Sequence, residues 1–501
     1  MTRESTNRTA VHNEDATPRE EETLVRPAID PKQPLPVYVQ LKTLLLEEIL
    51  SGQYGPGERL PTEHELCARY GISRTPVNRA LSELADEGVV LRHRRRGSFV
   101  NPHWVQRHPA LREARIIVPD GCWEAIVREA APADLTLNIV SVALPDLHQV
   151  IIRAVAEGRA PDLAVLDSVW VHEFAKSGFL TPLDELDTGW VRDEYEQDFL
   201  EPFRSANTLD GRPVAVQAEA DVAGIWYRRT HLAAVGHQPP QTWEDLAALG
   251  QALAGRGHAI PLTLPGGSRA GETATYCLLS LLASNGATIL DREMVTLDTP
   301  AAAECLAFLR RLLDTSVIPA EAVSYDRNRP IRQLAHGQAT LAFGGSYDAP
   351  ALAAAAGVAT DSVLDEFGFI GMPAGPHGAP ATLAGGMVYG IFRQASAPHL
   401  AMRVLRDVTS TDALARMSRV TWQIAPRRSA VDRTAASSPL LRATGPLLGQ
   451  AVVRPMTAQY PRVSAQLQSM LEAVLTGRME PRAATARAAE MISAITGLPL
   501  A

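Results

Sequence analysis

Residues 38–100 read YVQLKTLLLEEILSGQYGPGERLPTEHELCARYGISRTPVNRALSELADEGVVLRHRRRGSFV, and their ordered run of signals sets the fold of the N-terminal part of the chain. Leu41, Leu44, Leu45 and Ile49 recur at the spacing of one helical face, and Gly52 ends that segment. After the turn GQYGPGERLP, Thr62 and Glu65 stand at the capping-box spacing, in which hydroxyl and carboxylate each satisfy an orphan amide. A second helix then runs to about Tyr70. Gly71-Ile72 supplies a tight turn and Ser73 an N-cap, and Pro76 falls in the first turn of a third helix, where its missing amide costs little. Val77, Ala80, Leu81 and Leu84 share one face of that helix, which turns Arg74, Thr75, Asn78 and Arg79 outward. Two short helices joined by a Gly-containing turn form a helix-turn-helix, and Arg and Asn are the types that pair bidentately with guanine and adenine in a major groove. Beyond Gly88, Val89-Val90-Leu91 and Ser98-Phe99-Val100 flank His93-Arg94-Arg95-Arg96-Gly97, which predicts a hairpin with a cationic tip. Such a wing neutralises phosphates or enters a minor groove.

The whole run resembles the winged-helix domain of GntR-type bacterial regulators, including PGERLP, the Ser-Arg that opens the third helix and the wing ending in Gly-Ser-Phe-Val. That resemblance implies a homodimer on a palindromic, double-stranded DNA operator. It assigns contacts to His64, Ser73, Arg74, Thr75, Pro76, Asn78, Arg95, Arg96 and Gly97, to which the outward helix face and the wing tip add Arg79 and Arg94. The family usually has Arg where Asn78 stands, so the base preferred at that position is expected to differ.

The chain is 501 residues long, more than one hydrophobic core serves, and two or three domains are expected. Residues 1–34, rich in Glu, Thr, Arg and Pro, read as a disordered arm; the winged helix spans 35–102, a linker 103–114, and a large domain 115–501. The net charge is −8, but residues 35–107 carry ten Arg/Lys against eight Asp/Glu, whereas 108–501 carry thirty-three against forty-one. Only the small N-terminal unit is basic. No run of eighteen apolar residues appears and residues 1–27 are polar, so no membrane partner and a cytoplasmic location are expected. Cys67, Cys122, Cys277 and Cys305 lie far apart with no C-x-x-C pair, which predicts reduced thiols and no metal site.

From about Arg115, β-rich runs (Ile116-Ile117-Val118, Leu137-Asn138-Ile139-Val140, Leu163-Ala164-Val165-Leu166) alternate with Ala/Leu-rich helical stretches, which predicts α/β layers with a largely parallel sheet. Ligands in such sheets sit beyond the carboxyl ends of strands. Four segments in order are similar to those of the sugar-type solute-binding proteins of ABC transporters: APDLAVLDSVWVHEFAKSGFLTPLDEL, DGRPVAVQAEADVAGIWYRRTHLAAVGHQPPQTWEDL, LAFGGSYDAP and GFIGMPAGPHGAPATLAGGMVYGIF. The resemblance implies a two-lobed α/β fold of the type II periplasmic-binding-protein kind, with chain crossings near 220–223 and 379–383. One lobe is then 112–221 with 382–415, the other 222–380 with 416–501. It places a small-molecule effector, a sugar, in the cleft, and assigns the contacts to Asp167, Ser168, Trp170, Glu219, Asp221, Ser346, Tyr347, Gly385, Gly386, Met387, Trp422 and Arg427. Carboxylates beside aromatic faces are the chemistry a pyranose ring requires. Trp226, Tyr227 and Trp243 read instead as lobe core; Asp221 can equally cap a hinge turn, and Arg427 with Arg428 can equally be a solvated face.

GntR-type winged helices are also fused to pyridoxal-phosphate aminotransferase-like domains, which require a Schiff-base lysine. After residue 42 there is one lysine, Lys176, inside EFAKSGFL, in surroundings unlike those of such a lysine. No G-x-S-x-G, H-E-x-x-H or G-x-x-x-x-G-K-[ST] motif occurs, so neither an enzyme nor a cofactor is expected. The competing use of the large domain is protein docking without a small ligand.

Overall fold

The structure is a computed structural model that describes residues 29, 36–50, 54–107, 113–435 and 438–501. The arm expected over 1–34 falls outside the described residues except for Ile29, as does Gly52. The described chain forms two compact units, one of residues up to 47 with 57–101, the other of 48–56 with 102–501.

The first unit contains α1 (Val37–Leu50), α2 (Glu63–Tyr70), α3 (Arg74–Asp86), β1 (Val90–His93) and β2 (Gly97–Val100). The capping box forms as the sequence implies: Thr62 accepts from the Glu65 amide while the Glu65 carboxylate accepts from the Thr62 amide. Gly71, at φ 64°, ends α2 in the left-handed conformation that glycine adopts without strain. Ser73 occupies the N-cap of α3, yet its side chain makes no capping hydrogen bond. Leu41, Leu45, Leu60, Leu66, Val77, Leu81 and Leu84 are buried. Truncating any one of these leucines to Ala costs about 2–5 kcal/mol. β1 and β2 pair antiparallel from Val90↔Val100 to His93↔Gly97, with Arg59 bridged to Phe99 outside them.

The linker expected over 103–114 is partly regular structure: Pro102–Arg107 is helical and a strand begins at Glu113. The second unit contributes β3 (Glu113–Pro119), β4 (Thr136–Val142), β5 (Leu163–Asp167), β6 (Val216–Gln217), β7 (Asp221–Arg228), β8 (Ile260–Thr263), β9 (Ala339–Gly345), β10 (Phe367–Ile370), β11 (Thr382–Gly385), β12 (Met387–Ile391) and β13 (Ala451–Val452). One sheet has the order β4-β3-β5-β12-β6, in which β3 runs parallel to β4 and β5 while β12 is antiparallel to β5 and β6. The other has the order β8-β9-β7-β11-β13, with β10 also on β7; β7 is antiparallel to β9, β10 and β11. Each sheet has its own core, one built on Leu166, Ile151, Val388 and Tyr389, the other on Leu246, Leu278, Leu341 and Val463. Trp226, Tyr227 and Trp243 lie in the second lobe's core. The indole N–H groups are satisfied there, Trp226 by the Gly345 carbonyl at 2.8 Å and Trp243 by Ser284 Oγ at 3.2 Å.

The lobe boundaries differ from those the resemblance implied. Residues 382–385 belong to the second lobe, because Ala384 pairs with Val222 and Gly385 with Asp221; the next strand pairs Met387 with Asp167 of the first. The return crossing is therefore Gly386 rather than 379–383. Met417, Ala425 and Ala430 pack in the first lobe's core, so that lobe continues beyond 415. Leu440 already packs with Trp226 of the second. Gly386 sits at φ 123°, and a Cβ there would lie 2.1 Å from the Glu219 carbonyl oxygen, so only glycine fits this crossing.

Candidate functional sites

On the first unit, His64, Ser73, Arg74, Thr75, Asn78, Arg79 and the three wing arginines 94–96 are exposed, and Pro76 and Gly97 are half-buried. The wing turn places Arg95 at φ 71° and closes through Arg96 N–H to the His93 carbonyl at 3.1 Å. Glu63, on the first turn of α2, gathers this face: Arg74 Nε donates to it at 2.7 Å, Asn78 Nδ2 at 3.0 Å and Arg92 Nη2 at 2.9 Å. Arg79, exposed on α3, also reaches back to α1. Its guanidinium lies 3.7 Å from the Tyr38 ring centroid, with Nη2 donating to the Tyr38 hydroxyl at 2.9 Å and Nε to Glu83 at 3.3 Å. It ties α3 to α1, a cation–π contact worth about 0.5–1 kcal/mol at an exposed site. Glu63 and Arg92 were not anticipated, because their part depends on tertiary contacts that periodicity does not carry.

In the second unit the lobes enclose a cavity of about 330 Å³ lined by Pro119, Asp120, Trp123, Leu144, Asp167, Glu219, Asp221, Glu272, Thr273, Tyr276, Arg327, Tyr347, Gly386, Met387 and Arg454. Asp120 follows β3 and Asp167 ends β5, so both lie at carboxyl ends of parallel strands. Burial pushes the Asp167 carboxyl up to about 6 and Glu219 up to about 8. Glu219 Oε2 is buried without a hydrogen-bond partner. Asp221 is also raised by burial, offset by the hydroxyl of Tyr276, which donates to it. Arg454 is the buried counter-charge: its Nε donates to Glu272 at 2.8 Å and its guanidinium lies 4.8 Å from the Tyr276 ring centroid. Glu272 accepts in addition from Tyr460 at 2.7 Å and Ser464 at 2.6 Å. Gly385 makes room for this cluster, since a Cβ there would meet Arg454 Nη1 at 2.7 Å.

Of the twelve residues assigned to the ligand from sequence, Asp167, Glu219, Asp221, Tyr347, Gly386 and Met387 converge on this cavity. The others do not. Ser168 and Gly385 face a separate small cavity with His172 and Gln217. Trp170 packs on His148 and Phe174, with ring centroids 4.9 and 6.4 Å away. Ser346 is buried and its Oγ accepts from the Val222 amide at 3.1 Å. Trp422, at φ 61°, caps the helix Thr411–Thr421 and packs beside the Trp226 cluster. Arg427 is neither ligand contact nor solvated face: it is buried in an ion pair with Asp198 and with Glu194 at 3.1 Å, and donates to the Thr409 carbonyl at 3.1 Å. Trp123, Glu272, Tyr276, Arg327 and Arg454 were missed. Trp123 opens a helix and Tyr276 lies inside an apolar one, so both look like core in the sequence.

A winged helix followed by two α/β lobes around a polar, aromatic-lined cleft defines a solute-binding fold joined to a winged-helix unit. Residues 123–415 match the bacterial extracellular solute-binding protein family, and the chain belongs to that family; residues 37–100 match the bacterial regulatory proteins of the gntR family. The HTH-type transcriptional regulator YurK of Bacillus subtilis (strain 168) is 40% identical over 72 residues, which is 14% of this chain and 30% of YurK. The histidine utilization repressor of Klebsiella aerogenes is 46% identical over 67 residues, 13% of this chain and 28% of that repressor. This chain thus aligns with under a third of either regulator. Among solved structures, an ABC transporter solute-binding protein from Thermotoga lettingae bound with α-D-tagatose superposes with a TM-score of 0.67 at 20% identity, covering 77% of this chain and 100% of that one. The cyclic α-maltosyl-1,6-maltose binding protein of Arthrobacter globiformis gives 0.67 at 25% identity, with 77% and 98% covered. Among the described residues, no helix is long and apolar enough to cross a membrane.

Proposed function

We propose that this chain is a sequence-specific transcription regulator whose solute-binding unit senses a sugar and alters the affinity of the winged helix for its operator. The observation that carries the reading is the cleft itself, where Asp167, Glu219 and Asp221 face the same space as Trp123, Tyr276 and Tyr347. Carboxyl groups hydrogen-bond sugar hydroxyls, Asp167 and Asp221 as acceptors and a protonated Glu219 as donor as well, and ring faces stack on a pyranose. The similar structures that bind tagatose and a cyclic maltose dimer support the ligand class. Closure of the two lobes around the sugar is a hinge motion at the chain crossings between them, Gly386 among them. It changes DNA binding to the extent that the sugar favours one lobe arrangement. The protein acts as a cytoplasmic homodimer and performs no chemistry on its ligand.

The test uses the full chain in two steps. Selection from a random duplex pool supplies an operator, and a thermal-shift screen against mono- and oligosaccharides supplies the ligand. A sugar at a hundred times its Kd stabilises the binding unit by about 2.7 kcal/mol, and the same sugar changes operator affinity. Failure to enrich any sequence overturns the DNA-binding reading. Intact operator binding with no stabilisation by any sugar overturns the sensing reading in favour of a docking domain.

A further inference from the structure

We infer that Asn78 reads an adenine, and that a closed ring of four side chains fixes its amide for that base. The inference rests on the proposed DNA-binding role of α3. Arg92, on the first strand of the wing, donates through Nη2 to Glu63 Oε1 at 2.9 Å and through Nη1 to Ser82 Oγ at 2.7 Å. Ser82 Oγ in turn donates to Asn78 Oδ1 at 3.4 Å, and Asn78 Nδ2 donates to Glu63 Oε1 at 3.0 Å, closing the ring.

The contacts at Glu63 and Arg92 have directions forced by chemistry, and these orient the Asn78 amide. A guanidinium only donates and a carboxylate only accepts. Ser82, holding the Arg92 N–H on a lone pair, has its one proton for Asn78 Oδ1. A flipped Asn78 amide would set its oxygen against the Glu63 carboxylate and its N–H groups toward the serine, losing the strong contact. Glu63 is further held in place by Arg74 Nε at 2.7 Å. The amide carries two N–H groups and two lone pairs, and the ring takes one of each. One donor and one acceptor remain on an exposed side chain at the outward face of α3.

Adenine offers N7 as an acceptor and its N6 amino group as a donor on the major-groove edge, the complement of that remaining pair. Guanine offers two acceptors, O6 and N7, and would leave Asn78 Oδ1 facing an oxygen. Glu63, Ser82 and Arg92 are positioning residues in this scheme, and Arg92 couples the base of the wing to the recognition helix.

The experiment selects duplexes from a random pool with the full-length protein, then measures affinity for the selected duplex with each base pair replaced in turn. The expected result is one position per half-site at which adenine is favoured about tenfold or more. Asn78→Ala flattens that position to about twofold or less and leaves the preferences elsewhere unchanged. Asn78→Arg moves the preference there to guanine. Glu63→Gln, whose amide can donate and so frees Asn78 to turn, weakens the adenine preference at the same position in a chain that still melts like the parent. A position lost in Asn78→Ala that favours another base overturns the inference, and so does an unchanged preference profile in that variant. If the parent enriches no sequence, the DNA-binding reading falls and takes this inference with it.

Discussion

Arg74, on α3, and Arg454, in the cleft, are each held by a glutamate, and the exposure of the two arginines differs. The Arg74 side chain is 80% exposed, and an ion pair there is worth about 0–1 kcal/mol in water. Glu63 can align the guanidinium yet release it to a base or a phosphate. Arg454 is 14% exposed, stacked near Tyr276 and hydrogen-bonded to a Glu272 that itself takes two more donors. Glu272 is 32% exposed, so the pair is partly buried, and removing one partner costs up to about 3 kcal/mol, the low end of what a buried pair loses. The Arg74 contact is thus one that a partner can replace, and the Arg454 contact one that holds the shape of the cleft.

The largest expected effect is therefore at Arg454. Arg454→Met leaves Glu272, Asp167 and Asp221 without this cation and lowers the stability of the second unit by up to about 3 kcal/mol in urea unfolding. Affinity for a selected operator duplex, measured under folding conditions, stays within about twofold because the first unit has its own core. A loss below about 1 kcal/mol would show that Arg454 is as replaceable as Arg74.

Glu219 gives the next largest effect, in the pH dependence. Its carboxyl is raised from 4.5 to about 8 in the folded protein, so between those values the folded state holds more protons than the unfolded one. Stability therefore falls as pH rises through that window and levels off on either side. Asp167, raised from 3.8 to about 6, contributes with the same sign over the lower part. Glu219→Gln keeps the shape without the charge, so the variant gains on the parent progressively from pH 5 to pH 8 in denaturant melts. A parallel pair of curves would mean that Glu219 is ionised and solvated in the cleft.

The same contrast explains what could be read from the sequence. The winged helix is made of local contacts, and its caps, turn, apolar stripe and wing all stand at fixed spacings within sixty-odd residues. Asp167 was legible because a β-rich run ends on it, and Glu219 and Asp221 because they lie where the chain changes lobe. Arg427 misled because its acidic partners, Asp198 and Glu194, are more than two hundred residues away in sequence. Arg454 follows a two-residue strand and carries no motif at all. The crossing at Gly386 was misplaced for a different reason: TLAGGMVYGI looks like one strand, and only the positive φ of Gly386 divides it between two sheets.

On the reading face, Arg74→Ala is expected to weaken operator binding by about 1–3 kcal/mol and to relax the preference at one base pair. Competition against single-base operator variants checks it, and the thermal shift caused by a cleft ligand should not change. Uniform weakening across all variants would mean that Arg74 contacts phosphate.

The smallest expected effect separates the wing from the helix. Arg94, Arg95 and Arg96 are exposed at the turn of the hairpin, where Arg95 takes a positive φ. Among the described residues, none of the three makes an ion pair of the kind that ties Arg74 to Glu63. An untethered guanidinium contributes mainly by displacing counterions, which is insensitive to sequence. Arg96→Ala should then lower affinity evenly across operator variants and reduce the slope of log K against log salt by about 1. If the slope is unchanged while the preference for A·T pairs beside the half-site falls, the wing is reading minor-groove shape, and specificity is shared between the two elements that Arg92 joins.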